Sequence, residues 1–186
     1  VTERSRLRDM TTSLSIRSET LEQAAVTDAL TGLHNRRYFD DALQEYLAAF
    51  ARIEKPIGMI LLDLDHFKSV NDTYGHNIGD EVLREVALCL KDFTRYHDVV
   101  ARLGGEEFAV LSPNITERQI FELAERIRRA IAQIVVNAGG VSINVTVSAG
   151  IAIWDGNETG QALYGRADKQ LYVAKRNGRN QVCTAA

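Results

Sequence analysis

The sequence predicts an α+β fold in which helices pack on a central, mostly antiparallel sheet. From Thr27 onward, patterns typical of strands and of helices alternate along the chain. Their order is β-α-β-β-α-β with one helix ahead of it, which favours a sandwich of helices on a sheet with a βαββαβ core. The 186 residues, 45% of them hydrophobic and 25% charged, suffice for one globular domain and a short additional segment.

The additional segment is predicted to be a helix over residues 1–25, ahead of a domain over residues 26–186. Its apolar residues lie on a heptad seam, interrupted by Arg17, and are Leu7, Met10, Leu14, Leu21 and Ala24. Such a seam is typical of a helix that pairs with a copy of itself, and a solvated linker helix is the alternative. Because the chain starts without Met, we expect a fragment of a longer protein.

Within the domain, hydrophobic periodicity predicts the position of each element. Repeats near 3.6 predict helices over residues 37–52, 79–95, 117–136 and 160–177. Continuous or alternating apolar runs predict strands over residues 57–64, 98–103, 107–112, 141–153 and 181–184. The run over 57–64 is typical of a strand buried on both faces, and the pair around residues 104–106 is typical of a hairpin.

Charge and composition exclude several classes of partner. The net charge of −3 argues against nucleic acid, which calls for a basic surface. The longest apolar run, Ile57–Leu62, is far shorter than the roughly 20 residues that span a bilayer, so we expect no membrane contact by this fragment. Cys89 and Cys183 form no CxxC pair, and Cys89 falls on an apolar helical face. A reducing cytoplasm fits, although the parent protein could be membrane-attached through a missing region.

Acidic residues follow the predicted buried strand directly, in Asp63-Leu64-Asp65-His66-Phe67-Lys68. Carboxylates at the end of such a strand emerge at the sheet edge, where they can bind a hard cation such as Mg²⁺. Lys68 could neutralise a phosphate oxygen. A polar strand end followed by a loop is the alternative.

The predicted hairpin turn reads Gly104-Gly105-Glu106-Glu107-Phe108. Two adjacent glycines allow positive φ angles and close approach of a ligand to the backbone. Glu106 and Glu107 point to opposite sides of the strand, so at most one of them is a routine surface residue. Alone, the motif could be a glycine turn with two solvated acids; with Asp63 it supplies the second acid that a metal-assisted phosphoryl site needs.

Two further motifs carry polar groups suited to a nucleotide. Asn71 and Asp80 together could read a guanine edge, because a carboxylate accepts from the N1 and N2 hydrogens that adenine lacks. The alternative for Asp80 is an acid favoured near a helix N-terminus. Lys175 and Arg179 flank the end of the last predicted helix and could hold outer phosphates, although basic residues are favourable at that position anyway.

Together these segments resemble the GGDEF family of diguanylate cyclases, in the GGEEF variant of its signature. The resemblance runs from Asp28-Ala29-Leu30-Thr31-Gly32-Leu33 to Gly178-Arg179-Asn180, about five-sixths of the chain. It implies a nucleotidyl-cyclase or palm-like fold and the condensation of two GTP into cyclic di-GMP with release of two pyrophosphates.

The resemblance also implies a role for each matching residue. Asp63, the carbonyl of Leu64, Glu106 and Glu107 would hold two Mg²⁺ ions per GTP, with Mn²⁺ as a possible substitute. Glu106 matches the general-base position, and Lys68 matches a group that stabilises the transition state. The implied substrate contacts are Phe67, Lys68, Asn71, His76, Asp80, Gly104, Gly105, Lys175 and Arg179. Since each copy holds one GTP, two copies must face each other, which implies a homodimer.

A regulatory site is implied as well, because Arg95-Tyr96-His97-Asp98 matches the family's inhibitory RxxD motif five residues ahead of Gly104. Arg95, Asp98 and a secondary contact at Arg126 would bind product cyclic di-GMP, since guanidinium groups bind phosphate bidentately and stack on guanine. The alternative is local pairing of Arg95 with Asp98 at a helix end.

Three hypotheses about function stay open at this point. The first is an active cyclase with product inhibition. The second is an inactive receptor for cyclic di-GMP or GTP, which the retained acids of the turn disfavour. The third is a nucleotidyl cyclase that makes a 3′,5′-cyclic mononucleotide.

Overall fold

The structure, a computed structural model, describes residues 25–154 and 156–185. The helices are α1 (Arg36–Ala51), α2 (Phe67–Tyr74), α3 (His76–Phe93), α4 (Glu117–Ile131) and α5 (Gly160–Arg176). The strands are β1 (His34–Asn35), β2 (Ile57–Leu64), β3 (Val99–Gly104), β4 (Glu107–Pro113), β5 (Val136–Ala138), β6 (Val141–Ile143), β7 (Val147–Ile153) and β8 (Val182–Thr184). The predicted helix over residues 1–25 lies, apart from Ala25, outside the described residues.

Six strands form one sheet in the order β1-β3-β4-β2-β7-β8. The central pairs β3–β4, β4–β2 and β2–β7 are antiparallel, and only the outer strands β1 and β8 pair in parallel. The prediction of a mainly antiparallel α+β sheet is therefore confirmed.

Strand β2 lies at the centre, and all eight of its residues are buried. Neighbours on both sides bond its backbone, and helices cover both faces, so its side chains are apolar without alternation. Because side chains alternate along a strand, a slip of one residue would turn every side chain to the other face. The register of β2 therefore determines to which face of the sheet the side chain of Asp63, at the end of the apolar run, points.

Two apolar cores lie on opposite faces of the sheet. One packs α3 and α4 against β2 and β7, with Val86, Leu90 and Ile127 at its centre. The other packs α1 and α5 against β2, β3 and β4, with Phe39 and Leu163 fully buried. Cys89 packs partly buried against the first core, and burial raises the pKa of its thiol to about 11, as expected for a small core residue.

Helix α5 approaches the sheet at a glycine. A methyl group at Gly150 of β7 would overlap the backbone of α5 at Ala167, Gln170 and Leu171. Only a residue without a side chain lets helix and strand come this close. The position of α5, and of the lysine near its end, depends on this contact.

Three sequence-based boundaries differ from the structure. Helix α2 was missed, and α3 begins at His76 and ends at Phe93 rather than spanning 79–95. Helix α4 ends at Ile131, not at residue 136, because residues 136–138 pair with 141–143 in a separate hairpin. The strand predicted over 141–153 is consequently interrupted, and β7 begins only at Val147.

Within the described residues, no helix is both long and apolar enough to cross a membrane.

Candidate active site

The acids of β2 and of the hairpin turn meet at one end of the sheet. Asp63 lies opposite Glu107 in the β2–β4 ladder, and the backbone N–H of Leu64 donates to the carbonyl of Glu106 at 3.2 Å. A cavity of about 200 Å³ opens beside them, lined by Asp63, Leu64, Asp65, His66, Phe67, Lys68, Glu106, Lys175 and Arg179. Seven of the residues predicted from the sequence thus line a single cavity.

The Asp63 carboxylate is 7% exposed and pairs with Lys175, whose Nζ lies 2.9 Å from Oδ2. Burial raises the pKa of Asp63, the ion pair with Lys175 opposes this, and the charges of Glu106 and Glu107 raise it further. The carboxylate is therefore held in a site that disfavours its own charge. Additional positive charge would stabilise it there.

Helix α2 directs its N-terminus at the same cavity. It begins after His66, whose φ of 57° is left-handed, and no side chain caps the helix start. The N–H groups of Ser69 and Val70 bond back to His66, whereas those of Phe67 and Lys68 precede any intrahelical acceptor. An uncapped helix start beside two basic side chains is suited to binding a phosphate.

The turn after α5 brings Arg179 to the cavity. Three consecutive residues have positive φ angles, 109° at Gly178, 65° at Arg179 and 44° at Asn180. The two non-glycine residues cost on the order of 1–3 kcal/mol each, so surrounding contacts must hold the turn in place.

Asp65 supplies part of that support. Its carboxylate is 5% exposed and accepts from Thr146 Oγ1 at 2.7 Å, Ser148 Oγ at 2.7 Å and the backbone N–H of Asn180 at 3.0 Å. The side chain of Asn180 in turn accepts from Arg128 Nη1 at 2.7 Å. Asp65 thus joins the end of β2 to β7 and to the turn after α5.

The residues predicted to read guanine lie on α2 and α3. Asn71, half-buried, packs so closely on Gly79 that a methyl group there would overlap its amide. Asp80 follows Gly79 and is half-buried, and His76 is exposed at the start of α3. Asn71 and Asp80 therefore flank one glycine, while neither they nor His76 line the cavity at Asp63.

The glycine turn is anchored by an arginine. Gly104 and Gly105 have φ angles of 145° and 50° and leave open space where a side chain would stand. Arg102 donates from Nε to the carbonyl of Gly105 at 2.9 Å and pairs with Asp28 at 3.2 Å. Asp28 also accepts from Thr31, and these bonds hold its pKa below the usual value despite burial. Sequence reasoning did not identify this anchor.

The two turn acids occupy different positions. Glu106 is half-buried and lines the cavity, whereas Glu107 is exposed as the first residue of β4 and does not line it. Their charges both act on Asp63.

Arg95 and Asp98 form a tight turn at the other end of β3. The backbone N–H of Arg95 donates to Asp98 Oδ2 at 2.7 Å, and Ser112 Oγ donates to Oδ1 at 2.5 Å. The Arg95 side chain is exposed and lines two cavities, of about 320 and 390 Å³. Arg126 is exposed on α4 and lines neither of these cavities, so this chain alone does not bring it to Arg95 and Asp98.

The donor groups at the cavity fit a Mg²⁺ ion that is shared with substrate. Within the described residues, no group of three or more His, Cys, Asp or Glu side chains is arranged to hold a metal on its own. Asp63, Glu106 and the Leu64 carbonyl provide oxygen ligands only. Mg²⁺ is commonly bound through one or two carboxylates, with water and substrate phosphates completing its coordination.

Comparisons with known proteins identify the family and the fold. The family "Diguanylate cyclase, GGDEF domain" matches residues 25–181, and the chain belongs to this family. It is 44% identical over 163 residues to the response regulator PleD of Caulobacter vibrioides, covering 86% of this chain and 36% of PleD. It therefore spans about a third of the length of that relative.

Solved structures match the same fold. The coiled coil and GGDEF domain of DgcB from Caulobacter crescentus, solved in complex with c-di-GMP, is 36% identical with a TM-score of 0.89, covering 98% of both chains. The active GGEEF domain of a diguanylate cyclase from Vibrio cholerae is 34% identical with a TM-score of 0.76, covering 82% of this chain and 97% of that one.

Proposed function

We propose that this domain condenses two GTP molecules into cyclic di-GMP and two pyrophosphates. The observation that carries the proposal is the convergence of Asp63, Glu106, Lys175 and the start of α2 on one cavity. In this cavity, acidic side chains that can bind a cation lie beside basic side chains that can bind phosphates, which is the arrangement that phosphoryl transfer requires. Membership of the diguanylate cyclase GGDEF family and similarity to the active GGEEF domain of the Vibrio cholerae cyclase support the same reaction.

Each residue has a specific part in this proposal. Asp63, Glu106 and the Leu64 carbonyl would hold Mg²⁺, with Glu107 contributing charge nearby. Bound there, the metal would polarise the α-phosphate and lower the pKa of the attacking 3′-hydroxyl. Glu106 is suited to accept the hydroxyl proton. Lys175, Arg179, Lys68 and the N–H groups of Phe67 and Lys68 would hold the outer phosphates in line for departure.

The base is proposed to bind between α2 and α3. Asn71 and Asp80 would bond to guanine, with His76 at the rim and the open space at Gly104 and Gly105 admitting the nucleotide backbone. Asp80→Ala should reduce the preference for GTP over ATP by at least about tenfold, since one missing bond to a charged group costs about 1.5–3 kcal/mol.

Catalysis is proposed to need a homodimer, because one cavity accommodates one GTP and both 3′-hydroxyls must react. The rate should then rise faster than linearly with protein concentration if the domain associates weakly. A linear dependence down to dilute protein would indicate a pre-formed dimer. We place the reaction in the cytoplasm, in keeping with the free thiols of Cys89 and Cys183.

Product is proposed to inhibit the enzyme through Arg95 and Asp98. The exposed guanidinium is available for phosphate, and Asp98 is already fixed by Ser112. Arg126 would then be supplied by the neighbouring copy, since it does not line either of the cavities that Arg95 lines.

Product analysis tests the proposal directly. Incubated with GTP and Mg²⁺, the domain should release two pyrophosphates per product, with the product mass of cyclic di-GMP. Cyclic GMP as the main product would contradict the proposal and favour a mononucleotide cyclase. Tight binding of cyclic di-GMP without any turnover would identify a receptor instead.

A further inference from the structure

Asp65 is a buried acid that the proposed reaction does not use. It lies two residues after Asp63, and both line the cavity, yet their surroundings differ. Asp63 pairs with a lysine, whereas Asp65 accepts three hydrogen bonds from two hydroxyls and a backbone N–H. With its acceptor oxygens bonded by protein donors, Asp65 has little capacity left for a cation.

We infer that Asp65 is a positioning residue for the triphosphate: it fixes the turn over residues 178–180 so that Arg179 faces the outer phosphates. This inference rests on the proposed function, because it assigns a role at the same site.

The backbone bond to Asn180 is the central contact. Arg179 and Asn180 both have left-handed φ angles, a conformation that non-glycine residues adopt only when neighbouring contacts impose it. The N–H of Asn180 donates to Asp65 Oδ2, directly after the residue whose side chain lines the cavity. Loss of this acceptor would therefore free the turn at the point where it presents Arg179.

The other contacts hold Asp65 itself. Thr146, directly before β7, and Ser148, within β7, donate to its two oxygens, and the N–H of Asp65 donates to the carbonyl of Thr146 at 2.9 Å. On the far side of the turn, Arg128 bonds to Asn180 and to both oxygens of Glu125 at 2.9 and 3.0 Å. The turn is thus held between β7 and α4 through named side chains.

The chemistry predicts a selective defect. In Asp65→Ala, both acceptor oxygens are removed, so all three bonds now made to the carboxylate are lost. The hydroxyls of Thr146 and Ser148 can rotate toward other acceptors, but the backbone N–H of Asn180 cannot. The turn should shift, and only ligands that reach it should bind more weakly.

Calorimetric titration of the variant with two ligands tests this. With Mg²⁺ present, 3′-deoxy-GTP carries the outer phosphates but cannot be condensed, and GMP lacks those phosphates. We expect Asp65→Ala to bind 3′-deoxy-GTP about tenfold or more weakly than wild type, with GMP affinity within about twofold. Equal weakening for both ligands, or no weakening for either, would overturn the inference.

Controls separate positioning from general loss of stability. Thr116 is the N-cap of α4, and its side chain accepts from the backbone N–H of Gln119. Thr116→Ala removes this cap and should lower the stability of the fold without changing the affinity for 3′-deoxy-GTP or for GMP. If Asp65→Ala does not fold, Thr146→Val removes one donor to the same carboxylate and should weaken binding of 3′-deoxy-GTP about threefold, with binding of GMP unchanged. Unchanged 3′-deoxy-GTP affinity in Thr146→Val would count against the inference.

Turnover is measured separately on the wild-type domain. Suppose that the Asp65 variant shows the expected selective loss of 3′-deoxy-GTP binding, but the wild-type domain makes no cyclic di-GMP from GTP. The proposed reaction then fails, while the role of Asp65 stands.

Discussion

The acidic residues near the two ends of strand β3 lie in different electrostatic surroundings. At its C-terminal end, Asp63, Glu106 and Glu107 crowd together, and burial and mutual charge raise the pKa of Asp63. At its N-terminal end, Asp98 is satisfied by Ser112 and by the backbone of Arg95. The strand has six residues, which separates the two ends by roughly 20 Å.

The C-terminal end of β3 is thus suited to binding a cation, and the N-terminal end is suited to binding an anion. The first end has an excess of negative charge, which Lys175 opposes by pairing with Asp63. The second has a fixed carboxylate and an exposed guanidinium. Changes at the first end should therefore affect turnover, and changes at the second should affect inhibition by product.

The largest effect is expected at the crowded end. Glu106→Ala should lower turnover by roughly 10³-fold or more, because it removes a group that acts on charge developing in the transition state. Pyrophosphate release from GTP measures the loss.

Glu85→Ala is the matched control, since Glu85 is an exposed acid on α3, and its rate should stay near wild type. A Glu106→Ala rate within tenfold of wild type would refute the role assigned to the turn.

At the opposite end, Arg95→Ala should raise the inhibition constant of cyclic di-GMP by about 10- to 100-fold. A bond between charged groups contributes about 1.5–3 kcal/mol, which corresponds to that range. Initial rates with added product measure the effect, and rates without product should change little.

Arg84→Ala provides the comparison, because Arg84 is exposed on α3 away from the RxxD turn. Inhibition that is equally strong in all three proteins would remove the regulatory proposal.

Ser112→Ala tests whether the bond from Ser112 of β4 holds Asp98 in place before cyclic di-GMP binds. It deletes the 2.5 Å bond to Asp98 and should lower the free energy of unfolding by about 1 kcal/mol. The inhibition constant should rise about two- to fivefold as Asp98 loses support. Denaturant unfolding and inhibition assays check the two effects, and an unchanged inhibition constant would show that Asp98 is held by its own turn alone.

The smallest effect concerns stability at the crowded end. Burial raises the folded-state pKa of Asp63 above its unfolded value, so ionised Asp63 destabilises the metal-free fold as pH rises through that pKa. Asp63→Asn should therefore raise the metal-free melting temperature at pH 7 by about 1–3 °C while abolishing turnover.

The stability gain should vanish toward pH 3, where both side chains are neutral. Added Mg²⁺ and GTP should stabilise wild type but not the variant. A lower melting temperature of Asp63→Asn at pH 7 would mean that the bond to Lys175 outweighs burial.

The sequence predicted those parts of the fold that rest on long, regular patterns. The eight buried residues of β2 and the glycine hairpin were identified because burial on both faces and positive φ leave direct marks in composition. Helix α2 was missed because it is short, lacks a capping side chain and begins after a left-handed His66. The β5–β6 hairpin did have a signal, Gly139-Gly140, but the apolar period of α4 was continued to residue 136, where β5 begins.

The site was predicted less evenly. Asp63 and Asp65 are indistinguishable as acids at a strand end, and only the tertiary donors Thr146, Ser148 and Asn180 show that the second is structural. Long-range partners of this kind, up to 115 residues apart in the chain, leave no local pattern. The Asp28–Arg102 anchor is of the same type.

The missing side chain at Gly150 has a consequence for how this domain can change over evolution. Because α5 packs directly on the backbone of β7, the distance between Lys175 and Asp63 depends on Gly150. Gly150 lies 25 residues before Lys175 and does not line the cavity. Even an alanine there would displace the helix and widen the gap between acid and base. A substitution deep in the sheet can therefore disturb the proposed site as much as the loss of one of its own side chains.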